Sequence, residues 1–77
     1  MNKTRRALVQ SCIDKIDDCI SNIEIAKDEE QDYLDNMPEN LLSSERASKA
    51  ETNIENMEAA LDDLASAIEN LEGAVDT

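Results

Sequence analysis

An all-α fold, an antiparallel two-helix hairpin of coiled-coil type that dimerises into a four-helix bundle, is what three features of the sequence predict. Apolar residues recur at alternating steps of three and four through both halves of a 77-residue chain. The only proline, Pro38, stands in the middle, and the only glycine, Gly73, lies close to the end. The apolar stripe of the first half is also wider than a single partner helix can cover. A chain of 8.5 kDa holds one small domain, residues 1–77, without room for a large core, so association with further copies is the expected remedy.

The first helix is expected over about 4–35. Val9, Cys12, Ile16, Cys19, Ile23, Ala26, Glu30, Tyr33 and Met37 keep the three-four alternation, and Ile13, Ile20 and Leu34 widen the stripe on one side. Pro38 lacks a backbone donor and disfavours helical geometry at Met37, so the helix ends before it. The turn is placed at 36–43, with Ser43 or Ser44 as N-cap of the next element. A second helix over about 44–73 follows, its seam Ala47, Ala50, Ile54, Met57, Leu61, Leu64, Ile68, Leu71 and Val75 running without a miss. Two helices of similar length joined by so short a turn lie antiparallel, as a rod roughly 45 Å long. The segments Ile13–Glu24 and Leu61–Glu72 share a spacing and four identities, which the common binary pattern of bundle helices explains without a duplication.

Composition excludes several kinds of chemistry. There is no His, Trp or Phe, so imidazole acid–base catalysis, His-ligated metals and aromatic base-stacking platforms are absent, Tyr33 being the one ring. The spacing Asp28, Glu30, Asp32 and Glu39 imitates a calcium loop, but Tyr33 and Asp35 stand where the loop needs a glycine and an apolar residue. No phosphate-binding glycine loop, Cys-x-x-Cys pair or nucleophile elbow occurs. No enzymatic activity, cofactor or metal is expected.

Seven basic residues against nineteen acidic ones leave a net charge of −12, which repels nucleic acid and anionic membranes as direct partners. Lys3, Arg5 and Arg6 imitate the start of a signal peptide, but Gln10 and Asp14 break the apolar stretch behind them, and a cytoplasmic location is expected. Cys12 and Cys19, about 10 Å apart on one helix, are too distant to pair with each other and read as small buried apolar residues of a reducing compartment.

The charge is unevenly placed. One flank of the second seam carries Glu51, Glu58 and Glu72 beside Glu55, Asp62, Glu69 and Asp76, whereas the other carries Asn53, Ala60, Ala67 and Ala74. The small residues are assigned to an internal contact and the carboxylates to solvent or a partner. The ridge advances by about 5–6 Å per charge, comparable to the phosphate spacing of a nucleic acid strand. Glu51, Glu55, Glu58, Asp62, Glu69 and Glu72 are therefore the candidate contacts for a basic protein partner, with a solvated, solubilising face as the plainer reading. A second block, Asp28, Glu29, Glu30, Asp32 and Asp35, opposes the dipole of the first helix and is expected to pair with Arg46 and Lys49. Lys3, Arg5 and Arg6 are expected to be neutralised by Glu69, Glu72 and Asp76. Alternatively Arg5, Arg6 and Arg46 converge at bundle ends of an oligomer as a site for a small anion such as a signalling nucleotide.

The turn Asn36-Met37-Pro38-Glu39-Asn40-Leu41, followed by Ser44-Glu45-Arg46 and an acidic heptad helix, resembles small acidic helical-hairpin proteins of phages and prophages over roughly the second two-thirds of the chain. The resemblance implies a hairpin fold and phage origin and carries over no functional residue. Short phage proteins without catalytic groups commonly act by binding a host protein, so an inhibitor of a basic nucleic-acid-binding or defence protein in the host cytoplasm is the sharpest expectation.

Overall fold

A computed structural model describes residues 1–77 as two helices, α1 (Lys3–Asp35) and α2 (Glu45–Val75), joined through a short 3-10 turn at Glu39–Leu41; there is no strand. Capping chemistry sets the ends. Asn2 is extended, and its Oδ1 accepts the Arg5 N–H at 2.8 Å, which satisfies one of the unpaired donors of the first turn. At the far end both the backbone N–H and Nδ2 of Asn36 donate to the Asp32 carbonyl, at 3.0 and 2.8 Å. Pro38 then redirects the chain, and its carbonyl accepts the Leu41 N–H at 2.8 Å. Of the two serines expected as N-cap, Ser44 serves, its Oγ accepting the Ala47 N–H at 3.3 Å. α2 runs through Gly73 to Val75, two residues beyond the expected end, because the helical bond from Asp76 N–H to the Glu72 carbonyl is made at 3.0 Å.

The helices pack along their length as an antiparallel hairpin with extents of 59 × 15 × 13 Å. The rod exceeds the expected 45 Å because α1 alone has 33 residues, about 50 Å at 1.5 Å per residue, and the turn adds to it. In α2 the nine expected seam positions are all buried or half-buried, and Ala47 and Ala50, the most enclosed, let the helices approach closely next to the turn.

The seam of α1 departs from expectation. Val9, Ile13, Ile16, Ile20, Ile23, Lys27, Glu30, Leu34 and Met37 face α2, while Cys12, Cys19, Ala26 and Tyr33 are exposed. Two stripes one residue apart obey the same period, and pairing selects the one whose isoleucines and leucine remove more apolar area from water than cysteine and alanine can. The lysine that interrupts it is tolerated because a four-carbon stem covers apolar surface while the ammonium keeps its water. Both cysteines are consequently free and exposed, contrary to the reading of them as buried.

Only Ile13, Ala47, Ala50, Ile54 and Ile68 are buried. One helix pair encloses a single line of contacts, so most seam residues remain half in water.

Candidate interaction surface

Two contacts define which surfaces of the helices share a side of the rod. Gln10 and Asp17 of α1 line one depression together with Glu72 and Asp76 of α2. On the opposite side Asn53 Nδ2 donates to Glu30 Oε2 at 3.5 Å. Since both seams keep a seven-residue repeat and run in opposite directions, these contacts propagate along the hairpin. The Asp17 side also carries Asp14, Glu24, Asp28 and Asp35 from α1, facing the same way as Glu51, Glu55, Glu58, Asp62, Glu69, Glu72 and Asp76 from α2. All of these side chains are exposed.

The molecule is thus electrically two-sided. Twelve of the nineteen carboxylates lie on this flank, accompanied by a single cation, Lys3; the other seven are nearly balanced by the remaining six cations. The sequence pattern of α2 marks one row of this charge; of the row on α1 only Asp28 and Asp35 stand in the expected second block. The signal was present in Asp14, Asp17, Glu24 and Asp28, but it could be read only with the correct seam of α1, from which these residues fall on the α2 ridge side.

The opposite side brings Cys12, Cys19, Ala26 and Tyr33 alongside Ala74, Ala67, Ala60 and Asn53, a strip about 31 Å long at the helical rise whose own residues carry no charge, with the Glu30 carboxylate held against its Asn53 end. Ala60, Ala67 and Ala74 are half-buried, as assigned from their size.

The expected neutralising ion pairs do not form. The one ion pair is Lys49 Nζ to Glu45 at 3.5 Å, between exposed groups within α2. Arg46 and Lys49 make none with the block Asp28–Asp35, and Lys3, Arg5 and Arg6 make none with Glu69, Glu72 or Asp76. Long exposed side chains gain too little from pairing in water to give up their rotamer freedom. The carboxylate flank is therefore left uncompensated.

The candidate anion-binding arginines are separated. Arg5 and Arg6 occupy the open end of the rod, whereas Arg46 lies at the turn, where it lines a depression with Tyr33, Asn36, Met37, Pro38, Leu41 and Ser44. Thirty residues of α1 between Arg5 and Asp35 put about 45 Å between the two ends. No three carboxylates or thiols converge closely enough to hold a metal ion, the calcium-like spacing at Asp28–Glu39 included. Neither helix is long and apolar enough to cross a membrane.

Comparison of the chain with protein-family models, with curated proteins and with solved structures finds no match.

Proposed function

We propose that this chain is a non-enzymatic interaction protein whose carboxylate flank binds and blocks a basic protein, in its sharpest form a phage-encoded inhibitor acting in the host cytoplasm on a nucleic-acid-binding or defence protein. The observation that carries this reading is the segregation of charge: twelve exposed carboxylates on one flank of an elongated rod, with one cation among them and no ion pair. Like charges three and four residues apart destabilise a helix by ~0.2–0.5 kcal/mol per pair. Five such pairs occur along α2, at Glu51/Glu55, Glu55/Glu58, Glu58/Asp62, Glu69/Glu72 and Glu72/Asp76. A face serving only solubility is better made by interspersing lysines, so the arrangement favours a partner that supplies the opposite charge.

Two rows of carboxylates run along the flank, one on each helix. Charges advance along α2 by about 6 Å, and the second row stands on α1, whose axis in a packed pair lies roughly 8–10 Å from that of α2. A basic groove built for phosphates can hold such a rod, and occupancy would exclude the nucleic acid.

The test compares the wild-type chain with a variant carrying Glu51→Gln, Glu55→Gln, Glu58→Gln and Asp62→Asn. Both are used as tagged baits in nuclease-treated host lysate at low and high salt. The reading requires a basic protein retained by wild type, released by salt and lost on the variant, whose own nucleic-acid binding the wild-type chain competes away. Retention that survives the four changes at low salt refutes the assignment, since the variant keeps or gains helicity.

Arg46 beside Tyr33 in the turn depression favours a second reading, an oligomeric binder of a small anion such as a signalling nucleotide. It needs another copy to bring Arg5 or Arg6 to that end. Native mass spectrometry showing a stoichiometric nucleotide carried through purification would select it over the first.

A further inference from the structure

On the side of the rod opposite the carboxylate flank, Leu8, Cys12, Cys19, Ala26 and Tyr33 of α1 stay exposed in the hairpin, and we infer that this strip is covered by a second copy of this chain. The inference stands apart from whatever the acidic flank binds. Three observations lead to it.

The first is area. The chain exposes 5644 Å². A compact monomer of 8.5 kDa exposes about 4,650 Å² by the usual scaling of surface with mass. The excess, about 1,000 Å², belongs to the elongated 59 × 15 × 13 Å shape, and it leaves enough open surface for the roughly 800 Å² each partner gives to a standard stable interface.

The second is charge. Two copies cannot meet through the flank that bears twelve carboxylates, because like charges would face each other as they lose solvent. The uncharged strip avoids this. Beside it lie Arg5, Lys15, Lys27, Arg46 and Lys49 with Glu29, Glu30 and Asp63, so both signs are available at its borders. Pairing there turns both acidic flanks outward and preserves them for another partner.

The third is the chemistry of the strip. Leu8 is 65% exposed and Tyr33 47% exposed, and between them Cys12, Cys19 and Ala26 present short side chains over which another helix can pack closely. Residues of this kind alternate with lysine and glutamate on a solvated helix; here the stripe holds no charge between Cys12 and Tyr33. The resulting four-helix arrangement would cover the half-exposed seam residues that one hairpin leaves wet.

The free thiols report on the interface without any mutation. Their rate of modification by a small disulfide reagent is measured on the full chain over a range of protein concentrations, beside sedimentation equilibrium for the mass. The proposal requires twice the chain mass at high concentration and thiols that react at least about tenfold more slowly there than on dilution. A matched pair of variants then locates the contact. Ala26→Glu places a charge on the strip, and Ala65→Glu places one on the acidic flank; both alanines are exposed, so the hairpin tolerates either change. Ala26→Glu should weaken self-association by at least about tenfold, and Ala65→Glu by less than about twofold. A monomer at high concentration, an assembly other than a pair, thiols whose rate ignores concentration, or equal weakening by both variants would overturn the inference.

Discussion

At the level of single residues, the least settled positions of the hairpin are the polar ones in its seam. Lys27 and Glu30 interrupt an otherwise apolar line on α1, and Glu30 is held by a bond of 3.5 Å to Asn53. Polar seam residues specify register at some expense in stability. Replacing Lys27 by Leu should raise the unfolding free energy by about 1 kcal/mol, part of what a fully buried leucine contributes. For a domain of this size that is a rise of roughly 4–8 °C in Tm, read by circular dichroism. Gly73 offers a second gain. It is helical, exposed, and has nothing within 4 Å of where a Cβ would stand. Gly73→Ala should therefore stabilise by about 0.5–1 kcal/mol through reduced freedom of the unfolded chain, seen as a higher midpoint in urea. The sequence shows the glycine but not its surroundings; open space around it follows only from its position on the outer surface of α2.

At the level of the helix, α1 is electrostatically disfavoured at its C-terminus. Asp28, Glu29, Glu30, Asp32 and Asp35 crowd the end where the dipole favours cations, and no basic residue occupies the last turn. Asp35 accepts a bond from Gln31 at 2.9 Å, and Asn36 ties down the Asp32 carbonyl, so hydrogen bonds rather than ion pairs hold this end. Asp32 is exposed and its carboxylate has no partner, which makes Asp32→Lys the clean probe. It should add about 0.3–1 kcal/mol at low salt and progressively less as salt rises, measured by thermal melts across ionic strength. The capping residues and the break at Pro38 were legible in the sequence because each acts through its own backbone. Which stripe of α1 forms the seam was not, since Cys12 and Ile13 begin stripes of equal period and the choice depends on what α2 presents.

At the level of the whole rod, shape and charge act together. In a body 13–15 Å thick, the flank with twelve carboxylates and Lys3 carries −11 of the net charge of −12. Repulsion within that flank is screened over about 10 Å at 0.1 M salt and over about 30 Å at 0.01 M. Raising sodium chloride from the lower to the higher concentration should therefore raise Tm, and the fourfold ridge variant, which keeps eight of the twelve carboxylates, should show a measurably weaker dependence. A melting temperature indifferent to salt would show that the two carboxylate rows do not repel as their shared side implies. Binding of a basic partner would relieve the same repulsion, which links the stability test to the proposed function.

The amino-acid sequence determined the two helices, their caps, the turn at Pro38, the seam of α2 and the acidic row beside it, because periodicity and capping are local properties of a chain. Only the tertiary structure decided that Ile13, Ile20 and Leu34 turn inward and Cys12, Cys19 and Tyr33 outward, and that Arg46 lies a rod's length from Arg5. It also decided that α1 supplies a second row of carboxylates on the same side as the first. Those outcomes depend on how one helix is rotated against the other, and that rotation is set by the apolar area the pair can remove from water together.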